Sequence, residues 1–389
     1  MIMTVSAPMK DQVQEQALDD EILSGGESVY VAPPWKLMWW RFRKHKMAMV
    51  SAVILLAFYF TAAFCEFVAP YDPDKPFIQY KYSPATRIHL RDAEGRFHAP
   101  FVYQTTRGID PVTAQPTYVE DMKTRYTIQF FVQGFEYKLF GLIPAKLHLF
   151  GVPSAGEKQG VFLFGADRLG RDMFSRIAYG ARLSLSLGLV GVFLSLVLGV
   201  ILGGVSGYFG GWIDTAVQRT IEFIRTIPTI PLWMTLSAAL PADWPVTRVY
   251  FGITVILSLV GWTFMARVVR GRFLAMREED FVLAARLNGA REMRIIVRHM
   301  VPSFLSYIIA ALTLAIPGMI LAETGLSFLG LGLRPPAISW GVLLQEAMNL
   351  RSLVLAPWVL WPGAAVVISV LAFNFVGDGM RDAADPYAR

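Results

Sequence analysis

Apolar residues gather along the chain into six long runs, Met47–Val68, Leu183–Val205, Ile213–Leu240, Val249–Val269, Phe304–Leu321 and Leu353–Val376, separated by segments richer in charged and polar residues. A helix needs about 20 mostly apolar residues to cross the hydrocarbon core of a bilayer, so the pattern predicts an all-α polytopic membrane protein with about six transmembrane helices. The third run is irregular. Ile213, Val217, Ile221 and Ile224 recur at helical spacing, yet Glu222 and Arg225 interrupt them and continuous apolar sequence begins only near Ile227. Either this helix starts outside the bilayer or its charges face a polar cavity. In the second run Gly199, Gly203 and Gly207 fall at intervals of four on one helix face, where another backbone can approach closely.

The segments between the runs predict other elements. Ile88–Phe101 reads as a hairpin turning at Asp92–Gly95, and Tyr126–Val132 as a further strand, so residues 69–182 are expected to hold a β-rich insertion. Lys138–Leu142 and Leu147–Val152 are apolar but too short to cross a membrane, and belong to that insertion or to the membrane surface. Gly165, Asp167 and Gly170 are turn residues preceding Met173, Phe174 and Ile177, which mark an interface helix feeding the second run. Gly330, Gly332 and Pro335-Pro336 forbid a long helix after Ser327 and point to a re-entrant outer segment, either a structural element or part of a gate. Residues 1–34, acidic and poor in aromatic residues, read as a flexible cytoplasmic tail. The expected division is thus 1–34 tail, 35–68 basic segment and first helix, 69–182 extracytoplasmic insertion and interface helix, 183–378 transmembrane core with a loop at 270–302, and 379–389 cytoplasmic tail.

Composition supports the membrane assignment: 54% of the 389 residues are hydrophobic and 17% charged, with a mean hydropathy of +0.44 and a pI near 9.3. The net charge of +6 is best read by position. Lys36, Arg41, Arg43, Lys44 and Lys46 crowd the front of the first run, which orients the N-terminus to the cytoplasm; six spans then return the C-terminus to the same side and leave 69–182 outside. Membrane lipid, and not nucleic acid, is the partner this charge suits. The single cysteine, Cys65, excludes an intrachain disulfide. No GxxxxGK[ST] phosphate cradle, HExxH pair, GxSxG elbow or metal-type Cys/His cluster occurs, so an enzyme is not expected, and no cofactor is expected on this chain. Glu222, Arg225 and Glu323 fall within apolar runs, where a charge costs about 2.5–3.5 kcal/mol on insertion scales; they either hydrogen-bond between helices or line a path through the membrane.

One polar stretch stands out. In FVLAARLNGAREMRIIVRHMVP (281–302), Asp280 can cap a short helix whose Phe281, Ala284, Ala285 and Asn288 share a face. Gly289 suits a left-handed helix end, Ile295–Val297 lead back to the membrane, and Pro302 can begin the next span. Arg286, Arg291, Arg294 and Arg298 can meet acidic groups of a partner or lipid phosphates. On spacing alone the stretch is either an interfacial amphipathic loop or a docking handle.

The stretch resembles the cytoplasmic EAA loop of ABC importer permeases, in which Glu-Ala-Ala is followed after three residues by Gly and thirteen positions later by Pro. Ala284, Ala285, Gly289 and Pro302 match in register, while Leu283 replaces the glutamate. Over 164–385 the chain is similar to the dipeptide/oligopeptide (and nickel) permease family, C-type subunit, in the blocks FGADRLGRDMFSRIAYGARLSLSLG (164–188), SGYFGGWID (206–214), SFLGLGLRPPAISWG (327–341) and LAFNFVGDGMRDAADP (371–386). Ala166 stands where that family usually has Thr, and the insertion is longer than its usual outer loop.

The resemblance implies the type I ABC importer permease fold in a bacterial inner membrane. The chain would form half of a translocation path for oligopeptides, pairing with a second permease subunit, two ABC ATPase subunits that hold ATP and Mg2+, and an extracytoplasmic solute-binding protein. It also implies that Phe281, Leu283, Ala284, Ala285, Asn288, Gly289, Arg291 and Pro302 couple the chain to the ATPases, and makes Glu222, Arg225 and Glu323 candidates for the path. Transport of oligosaccharides by the same machinery, a proton-coupled secondary transporter using Glu323 or Glu222, and a membrane receptor are the alternatives.

Overall fold

The computed structural model describes residues 34–111, 116–153 and 160–384. The tail expected over 1–34 thus lies outside the described residues up to position 33, as do the last five residues of the chain. Ten helices carry the architecture: α1 (Pro34–Lys44), α2 (Lys46–Ala63), α3 (Met173–Phe209), α4 (Gly211–Thr226), α5 (Thr229–Ala238), α6 (Val246–Met276), α7 (Asp280–Leu287), α8 (Leu305–Phe328), α9 (Trp340–Leu344) and α10 (Trp361–Ala384). Between α2 and α3 lie β1 (His89–Arg91), β2 (Phe97–Ile109), β3 (Pro116–Thr127), β4 (Gln129–Leu139) and β5 (Ile143–Gly151).

Five of the helical segments are long and apolar enough to cross a membrane: Lys46–Ala63, Met173–Phe209, Val246–Met276, Tyr307–Phe328 and Pro357–Ala383. The expected third span, Ile213–Leu240, is instead split into α4 and α5. Pro228 has no N–H to donate and holds Ile227 extended at ψ 128°, which ends α4 at Thr226. The ten residues of α5 rise only about 15 Å, so neither piece spans alone; α3 and α6 nevertheless pack parallel, Gly199 on Met265, Gly203 on Ala266 and Gly207 on Phe273, so residues 210–245 lead the chain back from the end of α3 to the start of α6 as a broken crossing. Other bounds shift for similar reasons. The first span closes at Ala63, where Phe64 leaves helical geometry, and a short turn Cys65–Val68 follows. The interface helix and second span are one continuous α3. The last helix runs to Ala384, through most of the segment expected as a tail.

Helix α3 is central, with α6, α8 and α2 packed on it and α10 closing over α8 and α2. The glycine stripe sets the tightest contact. A Cβ on Gly199 would lie 2.6 Å from Met265 Cβ, one on Gly207 2.7 Å from Phe273 Cβ, and one on Gly203 inside the Ala266 carbonyl. Only hydrogen at these three positions lets α3 and α6 touch backbone to backbone. Leu185, Leu187, Ile253, Leu257, Ile320 and Trp340 are buried in the main core.

In the insertion β1, β2 and β3 form an antiparallel sheet, and β4 and β5 pair as a separate antiparallel hairpin. The expected strand Tyr126–Val132 breaks at Ile128, which is buried with Val102 and Phe150 where the chain passes from one sheet to the other. Fully buried His148 ties the hairpin to the end of the first span, its ring nitrogens 2.8 Å from Ala69 O and 3.0 Å from Phe135 O. Arg182 of α3 holds the same region with a bidentate pair to Glu66, both contacts 2.6 Å, and donates to Ala62 O and Ala63 O. At the start of α3, Asp172 caps the helix by accepting from Ser175 N and Oγ. Burial pushes its carboxyl up to about 6.

Candidate functional site

The polar stretch between α6 and α8 is a helix, a tight turn and a return. Glu279, and not Asp280, is the N-cap of α7, and it makes no side-chain cap bond; Asp280 is the first helical residue, where its charge meets the positive end of the helix. At the other end Gly289 adopts φ +74°, with Gly289 N bonded to Arg286 O and Ala290 N to Ala285 O. That pair of bonds is the Schellman arrangement, and the left-handed φ at its centre favours glycine. Asn288 Nδ2 donates to Ala284 O, 2.9 Å, satisfying another carbonyl of the last turn.

After the turn the chain runs through Glu292–Arg294 into a wide π-type helix, Ile295–Met300, whose last bond is Val301 N to Ile296 O. Such helices are rare and concentrate at functional sites. Pro302 sits in a short turn, Val301–Ser303, and Phe304 breaks the helix again, so the next span starts at Leu305 and not at Pro302.

Two faces of this loop do different things. Inward, Val282, Ile295, Ile296 and Met300 are buried with Phe273 and Met276 of α6, Tyr208 of α3 and Phe304 and Ile308 at the entry to α8. Arg286 joins this anchor, its Nε 3.2 Å from Tyr208 Oη and its guanidinium 5.0 Å from the ring centroid. Asp214 completes the anchorage nearby by bridging α4 to α6 through Arg270, both contacts 2.5 Å. Outward, Leu283 is 42% exposed, Leu287 89% and Met293 61%, with Phe281, Ala284, Asn288 and Arg291 also exposed. Ala285 is half-buried against the inner cluster, so of the four residues expected on one face it alone leans inward. An apolar face beside exposed Arg291, Arg294 and Arg298, held to three helices, can transmit a contact but carries no reactive pair.

The intramembrane charges sit apart from this loop. Glu323 is fully buried, bonded to Ser327 and Ser339 hydroxyls at 2.8 Å and Ser184 Oγ at 3.2 Å, so it is enclosed between helices of this chain. It ties α3, α8 and the turn before α9 together, and Ser184 Oγ in turn accepts from Trp340 N. Glu222 and Arg225 are exposed on α4, Glu222 pairing with Arg219 at 2.8 Å. Sequence reading missed this hydroxyl cage, because only Ser327 is one turn from Glu323, while Ser339 lies 16 residues and Ser184 139 residues away. It also missed Tyr208 as the partner of Arg286.

Comparison with known proteins agrees with the resemblance in the sequence. Residues 195–389 match the family described as binding-protein-dependent transport system inner membrane component, and residues 33–85 match the N-terminal TM domain of oligopeptide transport permease C. The chain is 37% identical over 227 residues to the oligopeptide transport system permease protein OppC of Bacillus subtilis, covering 58% of this chain and 72% of that protein. It is 39% identical over 228 residues to the dipeptide transport system permease protein DppC of the same organism, covering 58% and 69%. Among solved structures, a chain of the MetNI methionine ABC transporter in an inward-facing form aligns over 55% of this chain and 98% of its own length at 22% identity, with a TM-score of 0.42. Half of the chain matches the first of these families, and the protein belongs to it: it is an inner membrane component of a binding-protein-dependent transport system.

Proposed function

We propose that this chain is the C-type permease subunit of an ABC importer for peptides, forming half of the translocation path and coupled through Phe281–Pro302 to cytoplasmic ATPase subunits. One observation carries the reading: the outward face of α7 is apolar and exposed, while its inward face is locked to α3, α6 and α8. The names of the relatives support peptides as the cargo. The basic residues Lys36, Arg41, Arg43 and Lys44 ahead of α2, with Lys46 at its start, support a cytoplasmic N-terminus, which puts the insertion outside, within reach of a solute-binding protein. ATP and Mg2+ belong to the partner ATPases, and a second permease subunit supplies the other half of the path.

Closure of the ATPase pair pushes on α7, and the anchored cluster passes that displacement to the spans. Leu283 in place of the family's glutamate makes this contact apolar, so the partner surface here is a hydrophobic groove and not an ion-pair acceptor. The test is Gly289→Leu in the complete importer reconstituted in proteoliposomes. A Cβ at Gly289 meets nothing within 4 Å, so the substitution acts through φ alone, at a cost of about 1–2 kcal/mol. Peptide uptake is expected to fall at least tenfold while ATP hydrolysis persists; full uptake refutes the role.

A further inference from the structure

Where α1 crosses the near ends of α8 and α10, Met38, Trp39, Phe42, Ile309 and Met380 enclose an open apolar cavity of about 490 Å³ with almost no polar surface. Its floor is well built: Phe42 is 9% exposed and packs with Met38, Ala48, Met380 and Ala383, and a Cβ on Gly379 would lie 2.5 Å from Ala48 Cβ. Its rim is cationic. Lys36, whose Nζ lies 5.0 Å over the Trp40 ring, and Arg43 stand three residues before and four after the half-exposed Trp39, on its side of α1, and Lys44 and Lys46 follow in the chain. No acidic residue occurs between Pro34 and Phe64. The break at His45, whose Nδ1 accepts from Ala48 N, separates α1 from α2, leaving α1 a short amphipathic helix at the end of the spans.

We propose that this groove is a binding site for an anionic phospholipid, one acyl chain filling the apolar cavity and the headgroup phosphate held by Lys36 and Arg43. An uncharged cavity mouth would accept any lipid tail; the basic residues of α1, with Lys36 and Arg43 on the Trp39 side, favour a negative headgroup over a neutral one. A bound lipid here would pin α1 against α10. The proposal rests on the reading above only for the leaflet concerned, the cytoplasmic one.

The test uses the full importer complex, delipidated in detergent, with palmitoyl-oleoyl phosphatidylglycerol and phosphatidylcholine as probes and native mass spectrometry as readout. The parent is expected to retain phosphatidylglycerol at least tenfold better than phosphatidylcholine. Lys36→Gln with Arg43→Gln abolishes that preference, and Ile309→Trp, which fills the cavity, loses both lipids. Equal retention of the two lipids by the parent, or an unchanged preference in the charge variant, overturns the proposal. So does crosslinking of Trp39→Cys to the second permease subunit, because protein then covers the groove. If Ile309→Trp fails to assemble, the exposed charge variant decides alone. Thiol labelling of Lys44→Cys in intact cells tests the orientation separately, since labelling from outside would sink the cytoplasmic assignment and leave the lipid preference standing.

Discussion

At the scale of single residues, the helix contact rests on hydrogen atoms. Gly203 of α3 has no room for a methyl group against Ala266, whereas a Cβ on the adjacent Gly204 would meet Phe273 Cζ at an ordinary 3.4 Å. Gly203→Ala should therefore cost about 1–3 kcal/mol by overpacking and lower the Tm by several degrees, while Gly204→Ala stays near the parent. Equal melting of the two variants would contradict the backbone contact. Asp172 offers a test by pH. Its carboxyl titrates near 6 in the folded protein against about 3.9 in an unfolded chain, so the native state binds the extra proton between those values. Stability from this group is full below about pH 4 and falls as pH rises through 6, by roughly 3 kcal/mol in all. Asp172→Asn keeps an N-capping oxygen and removes the charge, so its Tm advantage over the parent should grow between pH 4.5 and 7.5. An advantage that stays level with pH would exclude burial of that charge as the cause.

At the scale of elements, the loop between α6 and α8 was largely legible. Gly289 announced a left-handed turn because few other residues take that φ cheaply, and the alternation of apolar and basic residues announced two faces. What the sequence hid was which face points in: spacing groups Phe281 with Ala284, Ala285 and Asn288, but only tertiary contacts choose Val282 and Ile295 as the buried side. The break in the third run was hidden for a local reason, since hydropathy averages over Pro228 while the backbone cannot. Glu323 was legible as an oddity and not as a hub, because its partners come from three separate segments. Leu287 supplies the sharpest element-level test. It is 89% exposed, so Leu287→Asp should leave this chain's folding and Tm unchanged yet cut ATP-driven uptake at least tenfold. Wild-type uptake would remove the apolar face from the coupling contact.

At the scale of the whole molecule, many ties join the insertion to the spans, among them His148 on Ala69 O, Tyr82 on Ser352 and Phe150 on Phe174. Beneath the hairpin, Glu66 just past the first span and Arg182 of α3 form a bidentate pair in which the carboxylate is 9% exposed and the guanidinium 36%. Arg182→Lys keeps the charge but loses the fork, and it cannot serve Ala62 O, Ala63 O and both carboxylate oxygens together. The variant should expose the hairpin to limited proteolysis while the spans stay folded; unaltered cleavage would place the tie elsewhere.

The glycine stripe has a consequence beyond stability. Because Gly203 and Gly207 bring the α3 and α6 backbones together, with Met265 and Phe273 packed onto the glycines, the two longest helices are coupled as one stiff beam. Its near end holds Tyr208 and Phe273, against which α7 is seated; further along α3, past the stripe, Ser184 touches the Glu323 knot and the backbone of Trp340. Thirty-seven residues make that beam about 55 Å long, so a tilt of about 5° would sweep its end through roughly 5 Å. On the proposed coupling, a nudge of one side chain's width at the loop would reach the far end of that beam.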